Sequence, residues 1–394
     1  MPRRTALRTL GGLALGSTGV LGASWLSGCA PAPGVSAPTG NLSIGLLIPQ
    51  ADALKAIGSD IYDGFKLYTD LNQPFGGYQI EIVQAEEKPR PADNKSVVEG
   101  LIKQGVSAIA GVAQPETMLA IRDTVENGHI PLIGAHNSPI ALQSVLWMWS
   151  SSYVGGEPGE AVGRYLHSVG RTPVVVGAGD LSGSDAISGF QHGFAANIPR
   201  SRVFTLGDGR SDDAIARDIR TIDPDAIFCA LTGDTASDFL KALRSAGVRT
   251  EIYAPGDLTE GSALDALIAA VGETTATGIY TAMNYASDLT NTTNQLFASR
   301  FRSASQGRPP SAYAVAGWDA AQALDKAIRA CGDAPVSRDL INAKLGGLGQ
   351  LASPRGTIAF NQTRTPLQKW YLRRVMKDGP KLANVTVRTL ATLG

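Results

Sequence analysis

Cysteine is scarce in this chain. Its 394 residues hold three: Cys29, Cys229 and Cys331. A disulfide scaffold and a cysteine-rich metal cluster are both excluded. Cys229 and Cys331 lie 102 positions apart, a spacing that carries no evidence for a bridge, and both read as small core residues. Neither sign of charge is in excess, since 35 basic side chains face 35 acidic ones. A chain without a basic surplus has no electrostatic footprint for a nucleic-acid backbone. The four histidines, His129, His136, His167 and His192, show no H-x-x-x-H or H-E-x-x-H spacing, so no zinc site is written locally. G-x-x-x-x-G-K-[ST] is absent, which removes the P-loop NTPases, and no G-x-S-x-G elbow supports an α/β-hydrolase. Residues 176–183 approach the dinucleotide fingerprint, but Ser182 stands at the third glycine position and no acid follows at the expected distance. They read as an ordinary strand-to-helix turn. The sequence offers no local support for catalysis, for a cofactor or for a resident metal.

The amino terminus is informative. Arg3, Arg4 and Arg8 precede an uncharged apolar run over residues 9–25, and Leu26-Ser-Gly-Cys29 follows. A basic start, an apolar middle and small residues at a cleavage point make an export signal. The paired arginines resemble a twin-arginine signal, and the four-residue ending resembles a bacterial lipobox, in which the cysteine is acylated and becomes the new terminus. An ordinary secretory signal with a chance cysteine is the plainer alternative. Removing residues 1–28 leaves 366 residues carrying 32 basic and 35 acidic side chains, enough chain for two domains. Residues 29–40 hold three prolines and two glycines without apolar period, a tether between lipid and fold.

Beyond residue 41 the texture is regular. Short apolar runs at 43–48, 79–84, 107–112, 130–134, 173–177, 202–206, 226–231, 251–254 and 278–282 read as strands. Amphipathic segments at 60–72, 93–104, 116–127, 157–168, 185–197, 212–221, 235–246, 262–271 and 313–330 read as helices, and two further strands fall at 357–360 and 369–375. Strands alternating with helices indicate parallel sheets covered on both faces. Their number suits two doubly wound sheets better than one, with a change near 147–152 where three serines follow an aromatic pair.

Two loops have the character of ligand-reading elements. In Gly111-Val-Ala-Gln-Pro-Glu-Thr-Met118 a strand gives way to a helix whose first N–H groups lack internal partners and carry a partial positive charge. An oxygen-bearing group placed there needs no basic side chain. Gln114 or Thr117 acting as a plain helix cap is the alternative, and Glu116 in the first turn competes with an anion. In Gly134-Ala-His-Asn-Ser-Pro139, His136, Asn137 and Ser138 offer polar groups after a strand. His136 reads equally well as a satisfied surface side chain.

At these residues the chain resembles the type I periplasmic binding proteins, most closely the branched-chain amino-acid, amide and urea binding branch serving ABC importers. The carriers are Ser43-Ile-Gly-Leu-Leu-Ile-Pro49, Gly64-Phe-Lys-Leu-Tyr-Thr-Asp-Leu-Asn72, Phe239-Leu-Lys-Ala-Leu-Arg-Ser-Ala-Gly247, Tyr313-Ala-Val-Ala-Gly-Trp-Asp-Ala-Ala321 and Arg355-Gly-Thr-Ile-Ala-Phe-Asn361. The resemblance implies two α/β lobes crossed three times by the chain, with lobe 1 at 41–150 plus 284–353 and lobe 2 at 151–282 plus 356–394. It implies a ligand between the lobes, its carboxylate held at Gln114, Thr117, Ala135 and Asn137. Lobe 2 then supplies Ser182, where a tyrosine is common in the family, and Asp257, beside the position of the family's ammonium-binding acid. Thr232 and Tyr280 are weaker wall candidates, equally readable as a turn residue and a sheet-packing ring. The implied function is a lipid-anchored, extracytoplasmic, monomeric solute-binding component working with a permease and an ATPase. A sensor signalling to a membrane partner and an exported enzyme with a scattered site are the rivals.

Overall fold

The computed structural model describes residues 40–394. The export signal, Cys29 and the tether up to residue 39 lie outside the described residues. Among the described residues, no helix is long and apolar enough to cross a membrane.

The chain opens with β1 (Gly40–Ile48), α1 (Lys55–Asn72), β2 (Tyr78–Glu86), α2 (Asn94–Lys103), β3 (Ala108–Gly111), α3 (Pro115–Asn127) and β4 (Leu132–Gly134). Three short strands follow, β5 (Asn137–Ser138), β6 (Met148–Ser150) and β7 (Tyr153–Val154). The first sheet is wholly parallel, in the order β2-β1-β3-β4-β6. Both faces of β1 are buried. Ile44, Leu46 and Ile48 join the core beneath α1, while Leu47 meets Val98, Leu101 and Ile121 of α2 and α3. A strand buried on both sides must be apolar at odd and even positions alike, which is why 44–48 lacks alternation.

A second set of units follows: α4 (Glu157–Ser168), β8 (Pro173–Ala178), α5 (Leu181–Phe194), β9 (Val203–Leu206), α6 (Asp212–Ile222), β10 (Ala226–Ala230), α7 (Gly233–Ser245), β11 (Ile252–Pro255), α8 (Ser262–Val271), α9 (Glu273–Ala276) and β12 (Tyr280–Met283). Helices α10 (Thr292–Ala304), α11 (Ala312–Arg329) and α12 (Arg338–Leu345) then return to the first sheet, where α11 packs along α1. Strands β13 (Gln350–Ser353), β14 (Gly356–Phe360), β15 (Pro366–Asp378) and β16 (Lys381–Leu393) close the chain.

The second sheet runs β9-β8-β10-β11-β12-β15-β14-β13, with β16 paired to β15. Its strands from β9 to β12 are parallel, as two doubly wound sheets require. From β15 onward every pairing is antiparallel, so this sheet is mixed. Antiparallel strands need only tight turns, so a meander of this kind can follow the last crossover helix directly. Cys229 and Cys331 are free and buried.

Candidate functional site

Register places the site. Gly111 on β3 pairs with Leu47 of β1 and with Gly134 of β4, and Ile48 of β1 pairs with Glu86 of β2. Glu87, Ala113 and His136 therefore all leave the first sheet at its carboxyl edge. Asp257 follows β11 and Ser182 follows β8 at the carboxyl edge of the second. Open α/β sheets bind ligands at such edges.

His136, Tyr153, Asp257 and Tyr313 converge there from four separate segments. Tyr153 Oη donates to Asp257 Oδ2 at 2.7 Å and Tyr313 Oη donates to Asp257 Oδ1 at 3.0 Å. His136 Nδ1 lies 2.6 Å from the Ala113 carbonyl oxygen, and its Nε2 lies 3.3 Å from Asp257 Oδ1. A carbonyl only accepts, so Nδ1 carries a hydrogen. A hydrogen on Nε2 as well would make the ring an imidazolium facing Asp257, while a bare Nε2 can accept from Tyr153 Oη, 3.3 Å away. Burial disfavours that charge, but the charge and hydrogen bond of Asp257 outweigh it and raise the His136 pKa above its ordinary value. Burial likewise works against the Asp257 anion, yet His136 and the two phenols hold its pKa below the usual carboxylate range. The rings of Tyr153 and Tyr313 meet the imidazole edge-to-face at 5.8 and 5.1 Å.

The sequence-derived anion seat at the start of α3 is already filled by the chain itself. Glu87, only 2% exposed, accepts the Ala113 N–H at 2.7 Å and the Gln114 N–H at 3.0 Å. Pro115 has no N–H, and the Thr117 N–H turns back to Gln114 O at 3.1 Å. The Gln114 side chain donates to Lys88 O, Thr117 Oγ1 accepts from Asn94 Nδ2, and the Ala135 N–H bonds Gly111 O. At Gln114, Thr117 and Ala135 these groups bond within the chain, whereas the Glu116 N–H in the first turn has no partner among the described residues. The start of α11 is occupied in the same way. Glu260 accepts the Ala312 N–H at 2.6 Å and pairs with buried Arg373 at 2.5 Å.

Other candidates separate. Asn137 Nδ2 reaches Ser182 Oγ at 3.3 Å, a contact between elements of the two sheets. Thr232 is exposed ahead of α7 and makes no capping bond. Tyr280 is the first residue of β12, at the amino end of the strand, where it stacks on Tyr253 at 4.9 Å. Neither Thr232 nor Tyr280 reaches the cluster. Tyr153, Tyr313 and Glu87 were not anticipated. Glu87 has a local signal, an acid directly after a strand at the binding edge. The two tyrosines are brought in by tertiary packing alone. A groove of about 500 Å³ opens beside Ile140, Trp149 and Arg364, and it is not lined by His136 or Asp257. Among the described residues, no group of three or more His, Cys, Asp or Glu side chains is arranged to hold a metal ion.

Where the chain passes between the sheets, a buried polar network ties the strands together. Arg355 Nη2 donates to Asp319 at 2.8 Å and Nη1 to Gln368 Oε1 at 2.8 Å, and Arg355 also bonds Ser151 O. Gln368 reaches Ser152 O at 2.7 Å and accepts from Asn284 at 2.9 Å. Residues 151–152, 284 and 353–355 are thereby joined in one bonded hinge.

The sequence profile described as Periplasmic binding protein matches residues 41–380. A solute-binding protein of an ABC transporter from R. palustris, solved with benzoate, shares 26% identity at a TM-score of 0.75, covering 89% of this chain and 98% of that one. A corresponding protein from Rhodopseudomonas palustris HaA2, solved with p-hydroxybenzoic acid, shares 22% at 0.78, covering 90% and 98%. A leucine binding protein from Thermotoga maritima shares 18% at 0.75, covering 89% and 98%. A search of curated proteins returned no match. With its two sheets, bonded hinge and polar cluster at the facing strand edges, the chain belongs to the periplasmic binding protein family.

Proposed function

We propose that this protein is the extracytoplasmic solute-binding component of an ABC importer. It captures one small polar solute between lobes at 41–150 plus 284–353 and 151–282 plus 356–394, and performs no chemistry on it. Acylated Cys29, following Tat-like export, anchors the monomer to the membrane beside its permease and ATPase. The solute seat comprises His136, Asn137, Ser182 and Asp257, with Tyr153 and Tyr313 as walls.

The observation that carries this reading is the contact of His136 with Asp257. These groups follow strands of different sheets and meet at the edge where such sheets bind ligands. Closure brings donors and acceptors from both lobes onto one molecule, and the solute favours the closed form only by making contacts that the open form lacks. The relatives solved with benzoate and p-hydroxybenzoic acid support a small-molecule ligand of about this size. Native mass spectrometry of gently purified protein tests it. One small molecule per chain, released on unfolding and unchanged after incubation, is the expected result. A turned-over product, or a captured macromolecule in place of a solute, would oppose the reading.

A further inference from the structure

We propose that the cleft takes an organic cation lacking a carboxylate group, such as an amine or guanidine, and that His136 stands in the seat of that cation. This deepens the solute-binding reading and rests on it.

The first ground is the loss of anion receptors. At the start of α3 the Ala113 and Gln114 N–H groups are given to Glu87 and Pro115 offers none, which leaves the Glu116 N–H alone beside a buried carboxylate. At the start of α11 the Ala312 N–H is given to Glu260. A ligand carboxylate would have to displace a buried side-chain carboxylate from its bonds or lie beside it, and like charges at short range in a poorly hydrated site repel strongly.

The second ground is the charge count across the elements that meet there. Glu87 follows β2, His136 follows β4, Asp257 and Glu260 follow β11, and Arg373 lies on β15. Arg373 is matched to Glu260. Among the described residues His136 is then the one basic side chain bonded to Asp257, beside the phenols of Tyr153 and Tyr313. Glu87 also acts on the His136 charge, although burial raises the Glu87 pKa against its bonds from Ala113 and Gln114. The α3 N-terminus offsets roughly half a charge of Glu87. The cluster therefore stays net negative: a cationic solute that exchanges for the His136 proton keeps that balance, whereas a solute anion would add to it.

The third ground is the shape of the seat. His136 presents a planar ring whose Nε2 lies 3.3 Å from Asp257 Oδ1, and two tyrosine rings flank it. Aromatic walls beside a carboxylate are a recurrent arrangement for organic cations. A solute ammonium or guanidinium that reaches Asp257 replaces the His136 bond. His136 then loses its carboxylate partner, and its proton is released to solvent.

The test compares probes with a similar skeleton that differ in the carboxylate: the cation benzylamine against the anion benzoate, and the cation isopentylamine against the zwitterion leucine. Isothermal titration is run near neutral pH in two buffers of different ionisation enthalpy. At least one amine is expected to bind once per chain, about tenfold or more tighter than its carboxylate counterpart, with proton release. That release is expected to vanish in His136→Gln. In Glu87→Gln, checked for folding by thermal melting, benzoate binding is expected to gain about tenfold as the repelling charge is removed. Benzoate or leucine binding as tightly as the amines would overturn the charge inference and leave solute capture standing. Failure of both amines would overturn it too. Failure of solute capture itself has a separate signature: no small molecule retained in native mass spectra.

Discussion

His136 faces two acceptors, the Ala113 carbonyl and the Asp257 carboxylate, and these favour a hydrogen on each ring nitrogen. Its folded-state pKa lies above the ordinary 6.5. Its contribution to the closed arrangement is therefore complete below that value and fades as pH rises through the raised one. Asp257 is shifted the other way, so its contribution persists above the ordinary 3.8 and fades only as pH falls through the depressed value. The contact is strongest between those limits. Asp257→Asn is expected to lower the His136 pKa, read from the ring resonances in an NMR titration. An unchanged titration curve would show that the two groups do not act on each other.

Helix packing depends on two kinds of contact, one of side chains and one of backbone. Helices α1 and α11 cross at Gly64, where an added Cβ would lie 1.8 Å from the Ala314 carbonyl oxygen. No rotamer relieves a clash with backbone, so the helices must separate. Gly64→Ala is expected to cost about 1–3 kcal/mol in urea unfolding, and a neutral result would mean that the crossing is loosely set. The parallel strands and most helices were legible because buried runs such as Ala226–Ala230 and amphipathic segments such as Asp212–Ile222 carry strong periodic signals. Helix α10 was not, since its buried stripe is little more than Phe297, Ala298 and Phe301 while Leu296 points outward. Strand β16 was missed because it is half exposed and rich in polar residues. In the proposed site, His136 and Asn137 stood out from their place after a strand, and Ser182 and Asp257 only through the family resemblance. Tyr153 and Tyr313 did not, because 160 positions of sequence separate two rings that share one carboxylate.

The whole molecule turns on its hinge. Glu157 lies within this network, accepting from Gln368 Nε2 at 3.2 Å. Burial pushes its pKa up to about 8, against the partial relief of the bond from Gln368. Across the interval from the ordinary 4.5 to that value, the native state holds a proton that the unfolded chain has released, so stability declines as pH rises. Glu157→Gln is expected to flatten this decline and to melt higher than the parent at about pH 8, whereas equal slopes in thermal melts would contradict it. Movement about the hinge is the central claim. Nitroxides placed by Val169→Cys and Leu296→Cys, both exposed and one in each proposed lobe, report it without interference from buried Cys229 and Cys331. Double electron–electron resonance on protein stripped of solute, then resupplied with the molecule recovered by native mass spectrometry, should give a shorter and narrower distance distribution on resupply. Identical distributions in the two samples would contradict a clasp that closes on its solute.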